Sequence, residues 1–291
     1  MTVSVLVPSS IAREAEDKRE ATRKLGYVAR AATIFRADRL IVFPDRDGER
    51  GQFDGGFVET VLQYAATPPY LKTEVWGKRD ELEYAGVLPP LRATPRTGSE
   101  SNDSGSLRRG IVTEVGPEGR VRVNCGLQHP ISLNVPPKMA VEEGERVTVR
   151  ISSRRPVRAK LEDEPLPGLS VERTDLSAAL GREDAGVCIA SSRYGEPLTV
   201  GRLEPLAGRV ERDGMTVAFG SPERGLPDIL GIEESRVGST SDGDDGAADG
   251  VEPSADPGFD LWLNTVPNQG SEVVRTEEAL FATLACLSLR A

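Results

Sequence analysis

Two loops in the last third of this chain carry residue types suited to holding a polar ligand. One lies in Val217-Ala218-Phe219-Gly220-Ser221-Pro222-Glu223-Arg224-Gly225-Leu226, the other in Phe259-Asp260-Leu261-Trp262-Leu263-Asn264-Thr265-Val266-Pro267-Asn268-Gln269-Gly270-Ser271. Each starts as a short apolar strand and runs straight into Gly, Pro and small polar residues. Such loops leave backbone N–H and C=O groups free for a ligand, and their glycines admit close approach. Two in series, closed by a helical pattern from Arg275 to Leu287, read as a cofactor site. The spacing Gly220-x4-Gly225 is not a phosphate-binding loop, because Leu226-Pro227 follow the second glycine, and GxGxxG occurs nowhere. A nucleoside triphosphatase and a Rossmann dehydrogenase are therefore disfavoured.

The scaffold that must carry these loops is α/β. Residues 2–7 form a first strand, Arg13 to Phe35 repeats apolar residues at helical spacing, Arg39 to Phe43 is a buried strand, and Phe57 to Ala66 is a second helix. Strand, helix, strand, helix predicts a parallel sheet covered on its faces. After Pro165-Leu166-Pro167-Gly168 the same pattern returns, with a short helix over Asp175 to Leu180 and a buried strand from Gly186 to Ser191.

Between these halves the period changes to two. Residues 110–115, 120–123, 131–135 and 146–151 are short strands, with Gly116-Pro117-Glu118-Gly119 turning between the first two. A small OB-like barrel is expected over 107–161, behind a polar linker at 93–106, so that 1–92 and 165–291 are the two halves of one interrupted domain. A small sandwich used only for packing is the competing reading. The segment 233–258 holds eight acidic residues and one basic residue and reads as a disordered loop.

Composition narrows the functional class. The chain has 291 residues, 38% of them hydrophobic, and no apolar run approaches the length of a bilayer span. The first residues read as a strand and not as a signal peptide, so a cytoplasmic protein without a membrane partner is expected. Cys125, Cys188 and Cys286 are widely separated, and His129 is the one histidine, which supports neither a metal site, nor a disulfide framework, nor a Ser-His-Asp triad. Net charge is −10, yet residues 108–160 carry 11 basic and five acidic side chains. That local excess points to nucleic acid, with Arg108, Arg109, Arg120, Arg122, Arg154, Arg155 and Arg158 as backbone contacts. The barrel segment has no aromatic residue, which disfavours base stacking. Six Lys among 36 basic residues, with abundant acid, suits a halophilic source.

Here a family resemblance becomes specific. Phe219 to Leu226 resembles the middle cofactor loop of the SPOUT class of RNA methyltransferases, Asn264 to Ser271 with its following helix resembles the last, and Ala190-Ser191-Ser192-Arg193-Tyr194-Gly195 would be the first. With its inserted OB-like barrel the chain is similar to the archaeal–eukaryotic branch, a group of RNA uridine N3-methyltransferases. The resemblance implies a trefoil knot in the parallel sheet, a homodimer packed through the C-terminal helix, and S-adenosylmethionine as cofactor. It places Arg193, Gly220, Glu223, Gly225, Asn264, Val266, Gly270 and Ser271 around that cofactor. Methyl transfer to a uridine of rRNA or tRNA would make Glu223 a proton acceptor and Arg224 or Arg193 a holder of phosphate or of the uracil anion. An ion pair between Glu223 and Arg224 is the plainer alternative, as is a non-catalytic RNA-binding or ribosome-assembly factor for the whole chain.

Overall fold

The computed structural model describes residues 2–49, 53–93, 105–233 and 258–289. The acidic segment over 234–257 lies outside them, as does most of the linker. In chain order the elements are β1 (Val3–Pro8), α1 (Lys18–Ile34), β2 (Arg39–Phe43), α2 (Gly55–Ala66), α3 (Lys72–Val75), β3 (Ser106–Val115), β4 (Arg120–Asn124), β5 (Ile131–Asn134) and β6 (Arg146–Arg154). They continue with β7 (Val157–Glu162), β8 (Ser170–Arg173), α4 (Leu176–Leu180), β9 (Val187–Pro197), α5 (Val200–Asp213), β10 (Met215–Phe219), α6 (Leu226–Leu230), β11 (Leu261–Asn264) and α7 (Thr276–Leu287). Two compact units result: Met1–Gln63 with Glu81–Leu91 and Val171–Ala291, and Tyr64–Asp80 with Arg92–Ser170.

The first unit is built on a six-stranded sheet in the order β11-β9-β10-β1-β2-β8. The five strands from β11 to β2 run parallel. All residues of β1 and β10 are buried, although residues 2–7 read as alternating and each strand holds one polar residue, Ser4 or Thr216. Thr216, the polar exception in β10, donates its hydroxyl to the Ala185 carbonyl at 2.7 Å. Leu6, Ile41, Phe43, Ala218 and Trp262 share one core cluster with Leu176, Leu180 and Leu226. Helix α7 packs on α1 and α5.

Helix α1 starts five residues later than its apolar spacing predicts. Asp17 caps it by accepting the Glu20 N–H at 2.7 Å, while the Arg13 N–H closes a turn on the Ser10 carbonyl. Residues 9–15 are thereby kept as a loop following β1, within reach of the site.

The second unit is a five-stranded antiparallel sheet, β5-β4-β3-β6-β7, whose edge strands β5 and β7 approach one another so that the sheet nearly closes. Val112, Val121, Val123, Leu133, Val147, Val149, Ile151 and Leu161 fill it. Strand β7 is an addition to the sequence reading: charges on alternate residues hide it, and only Leu161 of its residues is buried. Residues 64–80, expected with the first half, belong to this unit. There Tyr70 donates its hydroxyl to the Arg109 carbonyl at 2.9 Å, and Asn124 donates its amide to Glu74 at 2.8 Å.

Candidate active site

Five parallel strands send their following loops to the same edge of the sheet, the carboxyl edge, where open α/β sheets bind ligands. Strand β9 pairs with β11 at Ile189 and Ala190 and again at Glu196 and Pro197, although the partners Trp262 and Leu263 are consecutive. Residues 191–195 are therefore looped out of the ladder. Gly195 makes this possible, since a Cβ there would lie 2.6 Å from the Leu263 nitrogen and 2.7 Å from the Trp262 carbonyl carbon. Within the loop the Arg193 guanidinium lies over the Tyr194 ring, 4.6 Å from its centre.

The loop after β10 is a closed turn. Ser221 and Arg224 exchange backbone hydrogen bonds of 2.9 and 3.1 Å, and the Ser221 hydroxyl also donates to the Arg224 carbonyl. A Cβ on Gly220 would meet the backbone of Gly225 and Leu226 at 2.7–2.8 Å, so only glycine lets the chain fold back so tightly. The Gly225 N–H is held by the Asp228 carboxylate at 2.9 Å, which opens α6.

The loop after β11 is tied to both others. Asn264 donates to the Arg193 carbonyl and accepts the Val266 N–H, each at 3.0 Å. Thr276, the first residue of α7, donates its hydroxyl to the Gly220 carbonyl at 2.9 Å. Beyond Val266 the loop organises itself: Gln269 donates to the Ser271 and Glu272 carbonyls, and Ser271 to that of Val273.

These three loops and the start of α7 enclose a cleft of about 320 Å³. Among the residues picked out in the sequence, Arg193, Gly220, Glu223, Gly225, Asn264 and Val266 line it. Gly270 and Ser271 do not, and a Cβ on Gly270 would point into open space. Ser221, Thr265, Asp228 and Gln269 line the cleft as well, and small polar residues of this kind leave no periodic signal that would single them out.

Glu223 and Arg224 do not pair with each other. The Arg224 Nε donates to both oxygens of Asp45 at 3.1 Å, and its side chain is not part of the cleft lining. Arg224, expected to face a ligand, is turned from the cleft in this structure: a charge 179 residues away in sequence holds it. Glu223, whose side chain is 61% exposed, stands 3.8 Å from Arg13 Nε, whose own side chain is 9% exposed. Asp45 and Arg13 were not singled out in the sequence, since each lies in a loop with no motif.

Behind the cleft, Lys24 is buried between Glu14 and Glu277, the second residue of α7. Desolvation pushes its pKa down to about 8, against the opposing pull of Glu277.

In the second unit the basic residues divide into two sets. Arg120 and Arg122 are exposed on β4, and Arg154, Arg155 and Arg158 are exposed at the β6–β7 hairpin. Arg109 is committed internally, donating to the Pro167 and Leu169 carbonyls at 2.5 and 2.7 Å, and burial lowers its pKa. Arg108 is half-buried and reaches the Cys125 and Gly126 carbonyls at 3.5 Å. Among the described residues no helix is long and apolar enough to cross a membrane.

Comparison with known proteins adds the family. Residues 2–287 match the family described as "Putative RNA methyltransferase". An uncharacterized protein of Haloarcula marismortui is 69% identical over 99% of both chains, and one of Halobacterium salinarum 68% identical over the same shares. Both come from halophilic archaea, in keeping with the acid-rich, lysine-poor composition. A human protein named 28S rRNA (uridine-N(3))-methyltransferase is 28% identical, over 98% of this chain and 77% of its own.

Proposed function

We propose, from the premise that this chain belongs to the RNA methyltransferase family, that its cleft holds S-adenosylmethionine and that the methyl acceptor is N3 of a uridine in ribosomal RNA. The observation that carries the reading is the cleft itself: three loops from β9, β10 and β11 meet at the carboxyl edge of a parallel sheet, lined by main chain and small polar groups. Its volume is that of a small-molecule site, and its lining of backbone amides and apolar Phe219, Leu226 and Val266 fits an adenosine with a polar tail. The acceptor base is taken from the name of the human relative. A SPOUT-type knot in the parallel sheet, an OB-like barrel and a homodimer belong to the same proposal, by resemblance.

When bound, S-adenosylmethionine supplies an electrophilic methyl group on a sulfonium centre. The chain's own residues then have two tasks. The loops must hold the acceptor nitrogen in line with that methyl, and such positioning supplies much of the rate. Glu223, exposed at the cleft wall and 3.8 Å from Arg13, would take the N3 proton, so that the ring nitrogen's electron pair forms the new N–C bond as the methyl–sulfur bond breaks and a neutral thioether leaves. Arg120, Arg122, Arg154, Arg155 and Arg158 would hold RNA phosphates.

Helix α7 bears on the dimer. Leu284 and Leu287 are buried within their own chain, and Phe281 packs edge-on against Phe35 at 6.2 Å. Among the described residues, Tyr27 and Ile34, seven residues apart on α1 and 45–46% exposed, are apolar groups open to a second copy, as are Val200, Val273 and Leu289 of the same unit.

The test is calorimetric titration with S-adenosylmethionine in molar potassium chloride, followed by transfer of labelled methyl to ribosomal RNA from a strain lacking the gene. One cofactor bound per chain with label in a uridine is expected. No binding by the folded protein would turn the reading to a non-catalytic RNA-binding factor that kept the fold.

A further inference from the structure

We infer that Asp45 is a positioning residue of this site: through Arg224 it locks the Ser221–Arg224 turn and thereby sets where Glu223 stands in the cleft. The inference deepens the methyltransferase reading and rests on it for its consequence in catalysis, though not for the lock itself.

Asp45 follows β2 and is 4% exposed. A carboxylate so removed from water must be paired and hydrogen-bonded. Two groups from two other loops do this for the carboxylate, and a third holds the Asp45 backbone. The Ser10 hydroxyl donates to Oδ2 at 2.5 Å, Arg224 Nε donates to both oxygens at 3.1 Å, and the Asp45 N–H is accepted by the Ser9 hydroxyl at 2.8 Å. The loops that follow β1, β2 and β10 are joined at this one carboxylate, and β10, β1 and β2 are neighbours in the sheet.

The two charges of the turn are thus held unequally. Arg224 is anchored by a buried partner at hydrogen-bond distance, whereas Glu223 faces Arg13 across 3.8 Å and is largely exposed. Ser221 and Arg224 close the turn between them, so fixing Arg224 fixes the backbone on which Glu223 rides. Arg224 anchors and Glu223 is left to meet the ligand.

The experiment compares the full chain with Asp45→Asn and with the milder Ser10→Ala, using amide hydrogen exchange together with methyl transfer from S-adenosylmethionine to the same ribosomal RNA. Exchange at the Ser221 and Arg224 amides should quicken at least tenfold in Asp45→Asn and less in Ser10→Ala, with core-strand amides still protected. At the same time kcat should fall about tenfold while KM for the methyl donor changes less than twofold. Unchanged protection of the two turn amides overturns the lock, whether or not the wild-type chain methylates RNA. Lost protection with wild-type kcat overturns the positioning role. A wild-type chain that binds no donor fails the methyltransferase reading alone, because the exchange result still decides the lock.

Discussion

Asn264 donates its side-chain amide to the carbonyl of Arg193 and receives the N–H of Val266 on its oxygen, both at 3.0 Å, so one residue on β11 fastens the β9 loop to its own. The two bonds need a donor and an acceptor on the same planar group, which Asp cannot provide. Asn264→Asp should weaken S-adenosylmethionine binding by about tenfold, the equivalent of one lost hydrogen bond. Titration calorimetry measures this, and wild-type affinity in Asn264→Asp would remove the bridge from the binding site.

The glycines of the last two loops should separate cleanly. Gly220→Val forces side-chain carbon onto backbone now 2.7–2.8 Å away, with an expected loss of about 1–3 kcal/mol in stability and of measurable cofactor binding. Gly270→Ala meets nothing within 4 Å and should change stability by no more than about 0.5 kcal/mol. Denaturant unfolding of the pair decides it, and equal behaviour of the two variants would contradict the geometry.

Basic residues of the second unit should part by role. Arg109→Ala leaves the Pro167 and Leu169 carbonyls without their charged donor and should cost about 2–3 kcal/mol. Arg154→Glu with Arg155→Glu lies on exposed positions and should leave the unfolding midpoint where it is while lowering RNA affinity and flattening its salt dependence. An RNA affinity untouched by the double charge reversal would take the hairpin out of the interface.

Lys24 gives a pH signature. Its folded pKa of about 8 lies below the unfolded value of 10.5, so between those values the unfolded chain holds the extra proton and stability rises with pH. Below about pH 8 the charged, desolvated ammonium is a standing cost. The stability difference between wild type and Lys24→Met should therefore shift in favour of wild type from pH 8 to pH 10.5. A difference that is flat over this range would show that Glu14 and Glu277 compensate the burial in full.

The sequence by itself determined the parts that depend on local pattern. Val3–Pro8, Arg39–Phe43 and Met215–Phe219 are strands because short, mostly apolar runs next to Pro or Gly fit a sheet buried on both faces. Gly220 and Asn264 were legible as cleft residues because loops rich in Gly and small polar groups directly after such strands leave backbone free. The position of the barrel was visible in the change of period at Gly110. What only the tertiary structure decided are the relations between charges distant in the chain. Glu223-Arg224 looks like a local pair, yet the two adjacent residues are drawn apart by Arg13 and Asp45, from loops over 170 residues earlier in the chain. Arg109 and Arg154 look alike in a basic segment, and only burial shows that one is bound to carbonyls while the other faces solvent. Apolar periodicity reports the sign of burial at each position. The partner of a charge is set by which loops the sheet order brings to one edge, and no pattern along the chain records that.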